Sequence, residues 1–381
     1  MSDKELNDWN PLEASILKDQ REGYDEIRQR CPVAYSEFMG WSLFRHEDVA
    51  TAIADPETYS NESPFPAIPN GMDPPAHGAF RKALQPNFDQ AQMSSLEPDA
   101  RKIAAHFLEP LLSGTEVEFI GGFATPFAFA TLCAQLGWPQ EQWRFLAGWA
   151  QDSQEAALDR DPVVGKALAD RFSEHVKESL DKRRVSSLNT SDATDALMST
   201  EVDGIRIDDD QIVSILRNWT AGHGTVAAGL GILVLHLAQD TELQNRLRSD
   251  PSLVSAAIEE ILRVDGPLVA NPRTTKREVK IHGRCIPKGE RLTLMWIAAN
   301  RDPAVFDEPD VVKIERDRTD SLVWGQGIHL CQGAPLARLE MRVAIEELLS
   351  KTEHFELSGD DIPRRAAYPS NGLASLVLKL I

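Results

Sequence analysis

From Asn218 to Gln239 the chain runs without a single Asp, Glu, Lys or Arg. That length suffices in principle to cross a bilayer. Four glycines (Gly222, Gly224, Gly229, Gly231), His223, His236 and two threonines interrupt it, however. The pattern reads as a helix buried on all sides in a protein core, without membrane insertion. From roughly Asp89 to Asp265 the reading is almost all helix, punctuated at Asp161-Pro162 and Asp250-Pro251. Alternating apolar and polar positions are confined to short segments. Val33-Ala34-Tyr35 and Trp41-Ser42-Leu43-Phe44 predict a hairpin. Val279-Lys280-Ile281, Arg291-Leu292-Thr293-Leu294 and the tail after His354 predict further strands. Long central helices with small peripheral β-sheets predict a mainly α fold. The early strands complete a sheet with later ones, so residues 1–381 read as a single domain.

Composition narrows the class. A chain of 381 residues with 42% hydrophobic content buries enough core to hold a cofactor pocket. Its four cysteines, Cys31, Cys133, Cys285 and Cys331, show no disulfide rhythm, as in a reducing cytoplasm. The start, Met1-Ser2-Asp3-Lys4-Glu5, is polar and does not resemble a signal peptide. A net charge of −19 argues against nucleic acid or an anionic membrane as a general partner.

The chemistry concentrates in Trp324-Gly325-Gln326-Gly327-Ile328-His329-Leu330-Cys331-Gln332-Gly333. Its glycines allow tight turns and close approach to a flat ligand. Pro335 suits the first turn of a helix, which places Cys331 just ahead of a helix N-terminus. Backbone amides and the positive helix end favour a thiolate there. Three readings compete for Cys331: a structural thiol, a zinc ligand with His329, or the thiolate ligand of a haem iron. No CxxC or HxxxH supplies the remaining ligands of a structural zinc site.

Taken whole, the string resembles the cysteine-ligand loop of the cytochrome P450 superfamily of haem-thiolate monooxygenases, soluble bacterial type. That pattern, aromatic-x-x-Gly-x-basic-x-Cys-x-Gly, falls here on Trp324, Gly327, His329, Cys331 and Gly333. The resemblance extends over nearly the whole chain and implies the cytochrome P450 fold. It implies haem b (iron protoporphyrin IX) ligated by Cys331, with Trp324, Gly325 and Gly333 beside the cofactor. Glu260 and Arg263 match the family's Glu-x-x-Arg helix, with Arg316 as third member of a structural cluster. His77 and Arg81, four apart on one helix face, match haem-propionate anchors, joined by Arg273 and His329.

In the apolar helix, Ala221 and Gly222 match the small residues that pass the cofactor. Thr225 matches the distal hydroxyl that passes on protons. The family usually carries an acid just before the threonine, and this chain has Gly224. Either His223, a neighbouring group or water replaces it, or His223 is simply a core histidine. Leu268, Val269, Ala270 and Asn371 match substrate-lining positions, consistent with a small hydrophobic substrate, aromatic ones included. The segment from Asn61 to Met72 is short, which predicts a relatively open pocket. Gln332 could tune the metal.

The resemblance implies a monooxygenase using O2 and electrons from a separate ferredoxin or flavodoxin, served by an NAD(P)H-dependent reductase. Arg338 and Arg342, four apart behind Cys331, are candidate docking residues for that donor. Gly224 leaves a second reading open, a peroxide-driven or non-hydroxylating haem-thiolate enzyme. A haem sensor or carrier is a third, and Thr225 argues against it.

Overall fold

The computed structural model describes residues 8–114, 116–185, 192–359, 363–366 and 370–381. The principal helices are α1 (Ala76–Leu84), α2 (Gln90–Leu108), α3 (Thr125–Leu136), α4 (Trp143–Asp159), α5 (Pro162–Val185), α6 (Asp209–Gln239), α7 (Val254–Val264) and α8 (Ala334–Lys351). The uncharged stretch forms the C-terminal part of α6, from Asn218 to its end at Gln239. This helix starts at a reciprocal cap: the Asp208 carboxylate accepts from the Gln211 N–H at 2.8 Å, and the Gln211 side chain accepts from the Asp208 N–H at 2.9 Å. Its most apolar 18-residue window is 67% buried inside the protein.

The glycines of α6 divide by what they face. A Cβ on Gly229 would fall 2.6 Å from Cε of Met341 on α8, and one on Gly231 would fall 2.6 Å from Cδ1 of Ile120. Those two thin the helix for packing. Gly222 faces open space, and Gly224 meets only the Gln154 amide of α4, at 3.5 Å.

The predicted breaks appear where expected. Asp161 accepts from the N–H groups of Val163 and Val164 and starts α5 at Pro162. Pro251 opens a short 3₁₀ turn before α7. Two departures interrupt the helical stretch: a strand at Glu116–Glu118 and a two-residue hairpin, Glu201–Val202 with Ile205–Arg206. Both are too short for period-2 patterning to register.

The main sheet has five strands: β1 (Val33–Ser36), β2 (Gly40–Leu43), β3 (Tyr59–Ser60), β4 (Ala270–Thr275) and β5 (Arg291–Met295), in the order β1-β2-β5-β4-β3. The predicted hairpin pairs Val33 with Leu43. Early and late strands meet where β2 runs parallel to β5, Trp41 opposite Leu292. Strand β4 was hidden by Pro272, which reads as a strand breaker. It is tolerated because β3 pairs only Thr274 and Thr275, so no described strand flanks Pro272 on that side. Val279–Ile281 pairs with Arg284–Ile286, and the tail strand Val377–Leu380 lies between Phe355–Leu357 and Glu116–Glu118.

One buried cluster ties this framework to the cysteine loop. Glu260 and Arg263 on α7 are 0% and 1% exposed. Arg263 donates from Nε and Nη2 to the two carboxylate oxygens at 2.9 and 2.8 Å. Arg316 Nε and the Lys313 N–H converge on Glu260 Oε1 at 2.9 and 3.1 Å. Arg263 Nη1 donates to the carbonyls of Asn300 and Pro309. The Asn300 side chain in turn accepts from the Leu322 N–H at 2.7 Å, two residues before Trp324. Sequence spacing thus paired residues that the structure joins in a bidentate, fully desolvated contact.

Removing one partner leaves the other charged and buried. Glu260→Ala is expected to cost about 3–5 kcal/mol, read as a lowered urea midpoint. Arg263→Ala should cost a similar amount, and the double variant less than the sum, because neither then strands a charge. An unchanged midpoint for Glu260→Ala would remove the cluster from this account.

Candidate active site

A cavity of about 490 Å³ lies between α6, the segment around Asn61 and Gly71, the start of β4, the cysteine loop and α8. Gly325 and Gly327 adopt φ of +69° and +66°, where L side chains are strained, and a Cβ on Gly327 would press on the Ile53 carbonyl at 3.2 Å. The loop closes through the Cys331 N–H donating to the Trp324 carbonyl at 2.8 Å. Trp324 is clamped from both sides: its indole N–H donates to Glu259 at 2.8 Å, and the Arg338 guanidinium lies over its ring at 4.7 Å. Cys331, Gly325, Gly333 and Trp324 all line the cavity.

Cys331 lines the cavity and is exposed to it, with the protein packed densely around it. Burial pushes its thiol up, while the N–H groups of Gly333 and Ala334 and the Arg81 and Arg338 charges pull it down. The helix-end stabilisation expected from sequence is present, but burial outweighs it. A metal cation bound at the sulfur would favour the thiolate that burial disfavours.

A set of unmatched donors lies beside the loop. The rings of His77 and His329 are 4.1 Å apart, and the Nε2 of each is buried without a partner among the described residues. Arg273 is 6% exposed, reaches only its neighbour's carbonyl at Pro272 among the described residues, and is pushed down to about 10 by burial. Arg81 donates to the Leu330 carbonyl at 2.6 Å. Asp73, whose charge reaches both histidines, is itself engaged by Ser60, the Asn61 N–H and Lys276. Burying such donors with no acid to meet them is unfavourable. Their chemistry fits carboxylates arriving on a ligand, such as the two propionates of a haem.

Asn61, which the sequence did not single out, fixes one of these donors. Its amide nitrogen donates to the Asn70 carbonyl, which can only accept, so the orientation of the amide is set. The same nitrogen faces His329 Nδ1 at 3.2 Å. Nδ1 is therefore the acceptor, and the His329 proton sits on Nε2, directed at the unmatched site. Burial, with the charges of His77, Arg273 and Arg81, pushes His329 down to about 3 and keeps it neutral.

On α6, Gly222, His223 and Thr225 line the cavity, whereas Ala221 and Gly224 do not. Gly224 turns toward Gln154. The hydroxyls of Thr131 and Thr220 bond the carbonyl four residues back. That of Thr225 has no hydrogen-bond partner among the described residues and is free to serve the cavity. His223 is 5% exposed; its Nδ1 donates to the Trp219 carbonyl at 2.7 Å, and its Nε2 faces Glu340 of α8 at 3.5 Å. Glu340, a second residue missed from sequence, left a signal. It is the one acid within the buried run Leu336–Ile345 of α8.

Three expectations are corrected: the cavity positions of Val269 and Ala270, the role of Asn371, and the basic patch at Arg338 and Arg342. Of the substrate positions, Leu268 lines the cavity, but Val269 and Ala270 pack into the core beside Tyr24 and Phe44. Asn371 gives its amide to Asp265 at 2.7 Å and to the Gly266 carbonyl at 3.0 Å, a structural role. Phe88, Trp219, Asn271, Pro272 and Trp296 complete the wall instead. The short loop is anchored to α6. Ser214 accepts from the Ile68 N–H, Arg217 donates to the Pro66 carbonyl, and Asn218 donates to the Ile68 carbonyl. Gln332 lines the cavity and donates its amide to the Arg81 carbonyl at 2.9 Å, tying α1 to the loop. Arg338 and Arg342 are not a free basic patch: Arg338 pairs with Glu259 at 2.6 Å, and Arg342 with Glu97 at 2.6 Å and Glu346 at 3.2 Å. Local carboxylates neutralise the charge that docking would need.

Comparison with known proteins bears on this geometry. A sequence model of one protein family, Cytochrome P450, matches residues 152–376. The chain is 30% identical over 338 residues to the cyclomarin C epoxidase CymV of Salinispora arenicola, covering 84% of this chain and 85% of that protein. It is 32% identical over 359 residues to the vitamin D(3) 25-hydroxylase of Pseudonocardia autotrophica, covering 88% and 87%. Among solved structures, a mutant of P450 EryK in complex with erythromycin B superposes with a TM-score of 0.86 at 27% identity, covering 95% and 96% of the two chains.

The unmatched donors generate a test that needs no substrate. Arg273→Leu and His77→Phe should each raise the rate of haem loss to an acceptor globin by at least about tenfold, since hydrogen bonds to charged groups contribute roughly 1.5–3 kcal/mol. With the dimethyl ester of haem, whose propionates carry no charge, variants and parent should lose cofactor alike. An equal defect with the ester would mean that these residues do not meet propionates.

Proposed function

Since the chain belongs to the cytochrome P450 family and is a haem-thiolate monooxygenase, we propose that it oxidises a small hydrophobic substrate, aromatic compounds included, with O2. Electrons come from a separate ferredoxin or flavodoxin served by an NAD(P)H-dependent reductase. The observation that carries the reading is one cavity on which Cys331, the unmatched donors His77, His329 and Arg273 near it, and the unpartnered Thr225 hydroxyl converge. Two relatives at about this distance are named for oxygen insertion, one as an epoxidase and one as a hydroxylase. We read residues 1–381 as one cytoplasmic domain. The mostly buried setting of α6 and the sheet joining residues 33–43 to 270–295 support that reading.

In this reading Cys331 holds the iron of haem b, and His77, Arg81, Arg273 and His329 hold its propionates. The cofactor, when bound, supplies the activation of O2, one atom going to substrate and the other to water. The chain's own residues do the rest. Trp324, clamped between Glu259 and Arg338, fixes the loop that carries the sulfur. Gly222 keeps α6 thin beside the cavity, and Thr225 Oγ1 both accepts and donates a proton there. Phe88, Trp219, Leu268 and Trp296 give substrate an apolar wall, while Asn218 and Asn271 offer polar orientation points. The latch from Ser214, Arg217 and Asn218 holds the 61–71 segment over the cavity and limits water entry. Gly224 provides no acid, which is the observation favouring a peroxide-driven enzyme as second reading.

The reduced, CO-bound protein should show the strongly red-shifted Soret band of thiolate-ligated haem, and Cys331→Ser should lose it together with O2-driven activity. Retention of that band in Cys331→Ser would assign the ligand elsewhere. Screening hydrophobic compounds for the spectral change that accompanies displacement of iron-bound water should identify substrates. Turnover of such a compound with peroxide far faster than with O2 and any ferredoxin system would favour the second reading.

A further inference from the structure

A guanidinium group that burial strips of water needs acceptors or a counter-charge. Among the described residues, burial holds four of them below the usual arginine range: Arg81, Arg217, Arg248 and Arg273. Arg81 and Arg273 lie by the cysteine loop and fit the propionates. Arg248 is satisfied by the protein itself. It donates to the Leu349 carbonyl, Gln244 Oε1 and Thr352 Oγ1, and it lies over the Phe355 ring. Arg217 is left over. It makes one hydrogen bond, to the Pro66 carbonyl at 3.1 Å, and meets no carboxylate among the described residues. Burial is the only influence on it, with no charged side chain close enough to act.

The position of Arg217 connects it to the chamber. It is partly buried on α6, and the next residue, Asn218, lines the cavity. The segment it bonds contributes Ser63, Pro69 and Asn70 to the same wall. Arg217 therefore stands at the rim, where α6 meets its cover. Thr225 lies eight residues further along α6, roughly 12 Å down the helix axis. The Arg217 side chain leans toward the helix N-terminus and so away from Thr225. Most of its five N–H donors remain without a protein acceptor, and their planar fork matches a carboxylate. In a chain of net charge −19, a lone cation beside an apolar chamber is a local attraction for an anion that the rest of the surface repels.

We propose that Arg217 is an anion-recognition residue and that the substrate is an amphipathic organic acid. Its carboxylate meets Arg217 at the rim, and its apolar body fills the chamber toward Thr225. The inference rests on the reading of this chamber as the substrate site of a monooxygenase, and it narrows the substrate class. It also fixes where oxygen enters. The carbon that reaches Thr225 is remote from the carboxylate, toward the far end of the molecule.

The test compares carboxylic acids with their neutral amides, which differ in charge and little in shape; decanoate and phenylbutyrate are suitable. In the haem-loaded protein, calorimetry and the spectral change on displacement of iron-bound water should both show the acid binding at least about tenfold more tightly than its amide. That factor corresponds to one hydrogen bond to a charged group. Arg217→Gln should erase the preference by weakening the acid alone. Arg217→Lys should keep part of it, and the Soret band should be unchanged in both variants. With a plant-type ferredoxin system and O2, the parent should oxidise decanoate toward its methyl end, and Arg217→Gln should spread oxidation over more positions.

Equal affinity of the parent protein for acid and amide would overturn the inference and leave the chamber a site for uncharged hydrophobic substrates. Equal weakening of both compounds in Arg217→Gln would mean that Arg217 only holds the cover segment, which sinks the idea as well. If no acid or amide binds in either form, the reading of the chamber as a hydrophobic substrate site falls, and the inference falls with it.

Discussion

A charge removed from water must be met by opposite charge or by hydrogen bonds, and this chain meets that demand in two distinct ways. At Glu260 and Asp265 the protein answers itself. Asp265 is fully buried and receives Arg21, Arg365, His236 and the Asn371 amide, which hold its carboxyl well below the usual range despite burial. These hubs fasten α7 to the N-terminal segment, the segment after β5 and the C-terminal turn. Around the cavity the demand goes unanswered. His77 and His329 keep buried ring nitrogens without partners among the described residues, and His223 and Glu340 meet only each other there, at 3.5 Å.

The long helix α6 shows the same division in steric form. Gly229 and Gly231 are pressed by Met341 and Ile120, so their missing side chains serve packing. Gly222, seven residues before Gly229, faces open space. One helix is thinned for its neighbours at Gly229 and Gly231 and leaves open space beside the cavity at Gly222.

Much of this was legible in the sequence because it depends on residues close together in the chain. Glu260 and Arg263, the helix-end position of Cys331, the β1–β2 hairpin and the buried character of α6 all follow from local spacing. What escaped depends on contacts between distant segments. Asn61 reaches His329 across 268 positions, and an asparagine in a loop carries no pattern that announces this. Glu340 meets His223 through the packing of α8 on α6. Val269 and Ala270 follow Leu268 directly, yet they face the core beside Tyr24, and chain position alone does not say which side a residue takes. Arg338 and Arg342 share a helix face as expected, but their partners Glu259 and Glu97 come from other helices.

The amide of Asn61 belongs to the segment that α6 holds over the cavity, and the ring it orients stands two residues before the cysteine. Cover and cysteine loop are thus mechanically linked. With haem seated as proposed, exchange of the 61–71 segment to broaden the range of accepted compounds would also alter the grip of His329 on the prosthetic group.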